Sequence, residues 1–433
     1  RSGPWLKRLD STLPLDEVLV EEAEVLVVGG GPAGSTFAAE MASRGHDVLV
    51  VEEHPRIGHP VQCAGLVSDR VLELAGSRGF VRASVRGATV VGPSLRAVSF
   101  AAPDARAHVI DRAGLDIHLA DRAADRGARF ALDSKFVGME GAPNGGLSVR
   151  VVSRDGATRL LHTRLLVGAD GVTSAVARAV RLRRRVEILP AFEAEFARSP
   201  GNPDEVEVYL GRDLAPGLFG WWIPDGAGGA RLGVAVEAGR TTAREFFERL
   251  CVQFARRHGS SLQTPTSYIV SGIPIGTLPR YSGHRVLLLG DAAAQVKPLS
   301  GGGIFTGMRA AGIAAPVAHE ALRDGDLSAS RLGEYDRRWR EALGEEFDRA
   351  LYLRRLFARL TDAELDEVVD ALEGSEMAAS IVAFGDIDFP THVARRLLRQ
   401  SPSLLRLFPK ALAALFPSRR SFRAPDLDAA APR

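Results

Sequence analysis

Lysine is scarce in this chain: it stands at four positions only, Lys7, Lys135, Lys297 and Lys410, beside abundant arginine. Chemistry that needs a lysine amine between Lys7 and Lys135 is thereby excluded. Cysteine is scarcer still. Cys63 and Cys251 are too few for a disulfide framework and fit a reducing compartment, so a cytoplasmic setting is expected. No run of about 18 apolar residues occurs, which rules out a membrane-spanning helix. The opening RSGPWLKRLD likewise lacks the apolar core of a secretory signal. Charge is nearly balanced, and a formal net charge of +2 gives no global reason to expect nucleic acid as a partner. No metal site is expected. The length, 433 residues, allows two or three domains around a large core.

The stretch Val25 to Glu53, VLVVGGGPAGSTFAAEMASRGHDVLVVEE, organises what is there. Four apolar residues, Val25 to Val28, run into Gly29-x-Gly31-x-x-Gly34, then a small-residue helix, then a second apolar strand ending at Glu52. That order spells a βαβ dinucleotide site. Gly29 permits a tight turn, Gly31 lets backbone approach a pyrophosphate, and Gly34 lets helix pack close on strand. Phosphates would sit over the helix N-terminus at Pro32 and Ala33, where unpaired N–H groups and the dipole favour negative charge. Glu52 lies about 20 residues on, where an acid accepts hydrogen bonds from a ribose diol.

A Pro/Gly-punctuated loop holding Cys63 and Ala64 follows, then a helix from near Ser68. Val85 to Phe100 alternates apolar and polar around Gly92-Pro93, as a half-buried antiparallel sheet does. A helix opens at Asp111, with Leu115, Leu119 and Ala123 at helical spacing and Gly127 at its end. Arg112 at its start could pair with a phosphate or face solvent. Strands at 146–152 and 158–167 turn at Asp155-Gly156 and lead into Gly168-Ala169-Asp170-Gly171. Residues 186–280 are strand-rich, with a helix near Thr242 to His258 in which Cys251 reads as a small core hydrophobe. Near Val286 an apolar strand again ends in Gly-Asp, at Gly290 and Asp291, and beyond Ala321 the pattern is helical. The predicted architecture is α/β. A Rossmann-like nucleotide domain (23–84, 108–185 and 281–320) is interleaved with an antiparallel-sheet substrate domain (85–107 and 186–280), and a helical C-terminal region (321–433) follows.

Three motifs at these intervals, GGGPAG at 29–34, GADG at 168–171 and GDAA at 290–293, resemble the FAD enzymes of the p-hydroxybenzoate hydroxylase fold. The resemblance covers residues 23–320 and implies FAD as cofactor. Its ADP half would lie on the first motif, with Asp170 and Gly171 bracing the pyrophosphate and Asp291 holding the ribitol. Gly302, Gly303 and Ile304 would let the flavin ring approach a helix N-terminus, whose dipole stabilises an anionic reduced ring. Two further segments are similar to the geranylgeranyl reductase family, which saturates isoprenoid double bonds. One is Pro60-Val61-Gln62-Cys63-Ala64-Gly65-Leu66, similar to the family's loop beside the flavin. The other is Phe219-Gly220-Trp221-Trp222-Ile223-Pro224 followed by Gly233, similar to its signature lining the lipid site, from which Phe219, Ile223 and Ala235 depart. The stretch GDAAAQVKPLSGGGI, with Pro298, matches as well. Substrate contacts are implied at Phe219, Trp221, Trp222, Pro224 and Pro298, although adjacent tryptophans in a strand point to opposite faces.

The implied reaction is hydride transfer from reduced flavin to double bonds of geranylgeranyl or related chains, carried by an archaeal-type lipid or a prenyl quinone. NAD(P)H or a ferredoxin would supply the electrons. The other reading on the same fold is an FAD monooxygenase acting on a hydrophobic substrate. A flavin halogenase, which FGWWIP also resembles, needs a lysine that the stretch between Lys7 and Lys135 lacks. A non-catalytic carrier of flavin or lipid would need no reactive loop. Cys63 could donate a proton or hold the alkene, or it could be a buried small hydrophobe. From Thr391 to Pro425 eight Arg/Lys and no acid interleave with Leu and Phe, and removing this +8 from +2 leaves −6 elsewhere. Such a tail either packs with a solvated basic face or forms an interfacial foot on the cytoplasmic face of a membrane.

Overall fold

The computed structural model describes residues 20–142, 145–182, 186–239 and 241–400. Its centre is the strand β1 (Val20–Val28), whose apolar end is flanked on both sides by parallel partners. β2 (Val48–Val51) pairs Val25 with Val48 through Val28 with Val51. On the other side the strand Thr158–Gly168 pairs Val28 with Gly168, and Val286–Leu288 continues the sheet in parallel beyond it. All four residues of Val25–Val28 are buried, as expected where helices cover both faces of a parallel sheet. The helix α1 (Pro32–Ala42) packs against the helices Arg112–Asp125 and Ile304–Asp324. Arg129–Ala131, the hairpin Ser134–Gly141/Leu147–Ser153 and the short antiparallel edge strand Ser282–Gly283 bring this sheet to eight strands.

The second sheet has seven strands and draws on both strand-rich stretches of the sequence. Its order is Ser267–Ile275, Glu187–Phe196, Ala230–Ala235, Gly220–Pro224, Glu205–Tyr209, Gly87–Val91, Ala97–Ala101. Every pairing is antiparallel except Glu205–Tyr209 against Gly87–Val91, the seam where the two stretches meet. One face is covered by the helix Ala243–His258, entered through a capping box of Thr242 and Glu245 and packed through Phe246, Phe247, Leu250 and Phe254. Cys251 packs partly buried against that same cluster. The other face looks back toward the first sheet. A small third sheet, Leu66–Val67, Ala107–Ile110 and Val81–Val85, lies between the two in the chain's course.

The C-terminal region is helical throughout the described residues. The helices Asp362–Leu372 and Ser375–Phe384 fold back onto the outer strand Ala97–Ala101, packing Leu365 and Val369 on Val98 and Phe100. Of the basic stretch 391–425, only the part inside the helix Pro390–Gln400 is described; the remainder of the expected foot lies outside the described residues. Among the described residues no helix is long and apolar enough to cross a membrane.

Candidate functional site

Gly29 and Gly34, after β1, each have a separate steric reason. Gly29 adopts φ +105°, and a Cβ there would come 2.3 Å from the Ala169 carbonyl oxygen. A Cβ on Gly34 would come 2.0 Å from the Gly29 oxygen, so α1 packs directly on the turn. Gly31 faces open space and, with Gly29, Pro32 and Ala33, lines a cavity of about 1170 Å³. No side chain caps the N-terminus of α1. Glu52, at the end of β2, accepts from Gly30 N–H at 2.8 Å and His54 N–H at 3.0 Å, and it lines the cavity edge.

Asp170 is held by the helix that follows it. Its Oδ1 accepts from Ser174 Oγ at 2.6 Å, and its Oδ2 from the N–H groups of Ala175 and Val176 at 2.7 and 3.0 Å. It therefore caps the start of the helix Ala175–Ala179 while lining the cavity. Gly171, at φ +73° with open space beside it, lines the cavity next to it. Gly290, Asp291, Gly302, Gly303 and Ile304 line the cavity beyond the C-terminal end of Val286–Leu288, at the same edge of the sheet as Gly29 and Gly171. A Cβ on Gly303 would fall 2.7 Å from Asp291 Oδ1, so acid and loop fit only because that residue is glycine. The helix Ile304–Asp324 starts at Gly303 without a side-chain cap, and two uncapped helix N-termini thus open on one cavity. Gln295, unremarked in the sequence, accepts from Gly290 N–H at 2.8 Å and donates to the Tyr335 hydroxyl at 2.7 Å, bracing that turn from beneath.

Arg112 does not face solvent. Its side chain is partly buried, ion-paired with Asp116 one helical turn on, and lines the cavity. Burial pulls the guanidinium pKa down, and Asp116, Cys63 and Asp291 more than offset it. Arg112 Nε and Asp116 Oδ1 are both buried without a protein partner. Arg112, a cation lining the same cavity as two bare helix ends, is what a phosphate-bearing cofactor would pair with, while the Asp116 carboxylate holds the guanidinium in place. Asp116 carries no motif signal; only its spacing of four residues from Arg112 hints at it.

The same cavity continues to the second sheet, where Phe219, Trp221, Ile223, Val206 and Val208 line it. Phe219 and Trp221 meet edge to face, 6.3 Å between centroids. Trp222, expected beside Trp221 as a substrate contact, does not line the cavity. It is 2 % exposed, points to the opposite face, stacks on Phe254 and donates from its indole to Ser199 Oγ at 2.8 Å. Pro224 and Pro298 are buried and also stand outside the lining, the first closing its strand, the second behind Lys297. Trp221 donates from its indole to Glu193 Oε2 at 2.6 Å.

Cys63 and Ala64 lie between the two halves. Their loop follows the cis His59–Pro60 bond and is held by Arg231, which donates to the Ala64 carbonyl at 2.8 Å. The Cys63 thiol is half-buried and accepts from Gly65 N–H at 3.3 Å. Burial pushes its pKa up, against the opposing charge of Arg112, which keeps the sulfur protonated at neutral pH. Ile381, Val382, Gly385 and Ile387 supply a further wall. Ile381 and Val382 belong to the helix Ser375–Phe384, and the turn after it, with Gly385 and Ile387, is tied down by Lys297 Nζ to Asp388 at 2.8 Å and by Arg70 to Asp386 at 2.9 Å. Among the described residues no group of three His, Cys, Asp or Glu is arranged to hold a metal.

Residues 22–344 match the model of the FAD-binding domain family. A digeranylgeranylglycerophospholipid reductase of Methanothermobacter thermautotrophicus is 32 % identical over 396 residues, 89 % of this chain and 98 % of that protein. The chain belongs to the geranylgeranyl reductase family of FAD-dependent oxidoreductases. A second relative, the digeranylgeranylglycerophospholipid reductase of Methanocaldococcus jannaschii, is 31 % identical over 90 % of this chain and 98 % of its own. In three dimensions, this geranylgeranyl reductase family member superposes on a geranylgeranyl bacteriochlorophyll reductase-like protein from Thermoplasma acidophilum with a TM-score of 0.79. That match has 25 % identity and covers 92 % of this chain and 99 % of the other. FAD is the cofactor that the matched domain supports, and the residues present fit it: the glycine turn, the bare helix ends and the Arg112 side chain line one space.

Proposed function

We propose that this oxidoreductase saturates carbon–carbon double bonds in the geranylgeranyl chains of an archaeal-type lipid, a prenyl quinone or a related isoprenoid. The observation that carries the reading is the continuity of one cavity from the phosphate-binding turns to the apolar wall of the second sheet, with the Cys63 loop at the junction. When bound, reduced FAD supplies the hydride. Gly31, Gly171 and the two helix N-termini bind the phosphates, Arg112 balances their charge, and Asp291 accepts from the ribitol. Phe219 and Trp221 orient the prenyl chain. Ile381, Val382 and Ile387 keep water from the reacting carbons, which raises the effective concentration of correctly placed alkene. The Cys63 thiol holds the proton that the second alkene carbon requires.

The test is anaerobic. The flavin is bleached with dithionite, the excess removed, and digeranylgeranylglycerophospholipid added in detergent. Flavin reoxidation together with products heavier by two hydrogens per bond is the expected result. Reoxidation only when oxygen is admitted, with an oxygen atom appearing in the product, would instead make the protein a monooxygenase.

A further inference from the structure

The cavity face of the second sheet carries an acid that the reaction as described does not use. Side chains alternate along Glu187–Phe196, so Ala191, Glu193 and Glu195 share one side, and Ala191 lines the cavity. Glu193 stands opposite Gly233, which in turn stands opposite Trp221. A Cβ at Gly233 would come 2.5 Å from the Trp221 ring, so the absence of a side chain lets the indole lie across that strand and reach Glu193 Oε2 at 2.6 Å. The other oxygen, Oε1, has no protein partner, although Glu193 is only 3 % exposed.

The charges around this carboxyl are few. Arg231 on the adjacent strand is already engaged by Glu195 at 3.1 Å and by the Ala64 carbonyl at 2.8 Å. Glu195 adds a second negative charge on the same strand, and Cys63, which also feels Arg112, lies in the loop that Arg231 clamps. A bare, buried carboxylate oxygen is costly, and a proton on Oε1 removes the cost. Burial accordingly raises the carboxyl to about 7, against the lowering effects of the Trp221 indole and Arg231.

We propose that Glu193 is the proton reserve of the site, the buried acid that restores the hydrogen of the Cys63 thiol after the thiol has given its proton to an alkene carbon. The proposal rests on the reductase reading above. In the step it serves, one alkene carbon receives hydride from the reduced flavin, and the π pair takes the thiol proton at the other carbon, leaving a thiolate. Glu193 passes its proton to that thiolate, becomes a carboxylate, and regains a proton from water. Atoms and electrons balance: the alkene gains H⁻ and H⁺, and the acid cycles. Trp221, which orients the chain, also holds the Glu193 oxygen that does not carry the proton, so substrate placement and proton supply share one hydrogen bond.

Two measurements on the FAD-loaded protein need no turnover. The first follows the ¹⁵N indole resonance of Trp221, assigned through Trp221→Phe, across pH; it is expected to move with a midpoint of about 7 in the parent and to stay still in Glu193→Gln. The second follows alkylation of Cys63 by iodoacetamide in a Cys251→Ala background. Glu193→Gln is expected to move that curve to lower pH, because a neutral amide no longer opposes a second negative charge. An unmoving parent indole, or an alkylation curve that Glu193→Gln leaves in place, overturns the proposal. The third measurement is alkene reduction. The parent rate is expected to fall as pH rises past about 7, and Glu193→Gln to be slower by about 100-fold with a flattened profile. A parental rate and profile in Glu193→Gln sinks this proposal alone; a parent protein that reduces no isoprenoid sinks the reductase reading itself.

Discussion

At the scale of single residues, Glu193 also sets a stability slope. Its folded pKa of about 7 lies above the ordinary 4.5, so between those values the folded protein keeps a proton that the unfolded chain has lost. Stability therefore falls as pH rises through that window, by about 3 kcal/mol in all for a group this buried. Urea midpoints taken across the window should show the fall in the parent and its loss in Glu193→Gln; parallel curves would refute the assignment. Sequence alone gave no hint of this acid, because Phe-Glu-Ala-Glu-Phe at 192–196 reads as a strand with a solvated polar face. Arg112 was half legible: a helix start was evident, but which way its side chain turns depends on the packing of Arg112–Asp125 against α1. The tryptophan pair was legible as one in and one out, yet the assignment needed Phe254 on the covering helix to show which.

At the scale of elements, the contact between α1 and the turn before it has no slack. Gly34→Ala places a methyl 2.0 Å from a backbone oxygen, with no flexible side chain to yield, so α1 must lift from β1. A loss of about 1–3 kcal/mol is expected, with weaker FAD retention because the helix N-terminus shifts. Gly312→Ala is the control: it lies within the helix Ile304–Asp324, has open space around it, and should be neutral or stabilising by up to about 1 kcal/mol. Thermal denaturation and flavin release on gel filtration compare the two, and equal behaviour would remove the steric argument. This unit was the most readable part of the chain, since strand, turn and helix are local and Gly34 answers to the nearby Gly29 oxygen, although Gly29 itself meets the distant Ala169. The capping role of Asp170 was harder to see. An acid followed four residues later by Ser174 suits both a helix cap and a ligand contact; the hydrogen bonds to Ala175 and Val176 reveal the cap, and a place in the cavity lining is compatible with the contact as well.

At the scale of the whole molecule, the cavity depends on a buried ion pair between distant segments. Lys297, on the loop before the Gly301–Gly303 run, donates to Asp388 and to the Ile387 carbonyl, each at 2.8 Å, and thereby fixes the turn that walls the prenyl site. Lys297→Met strands the Asp388 carboxylate beside Arg70 alone and should cost about 3–5 kcal/mol; adding Asp388→Leu should recover most of it. Denaturant titration of the three proteins is the measurement, and a double variant no better than the single one would show that the pair is not the tie. The wall itself was illegible beforehand, because nothing in the sequence near 381–387 announces contact with Phe100 or Trp221. Another long-range pairing bears on how the protein is made. Val286–Leu288 completes the sheet begun by Val20–Val28, and Asp291 and Gly303 come later still, so the nascent chain leaves the ribosome with its first βαβ unit formed but its cofactor grip unfinished until well past the midpoint of synthesis. During that interval the edge of Thr158–Gly168 lies open to any strand that reaches it, and flavin can gain only a partial hold, because Gly31, Arg112 and Gly171 have been translated but Asp291 and Gly303 have not.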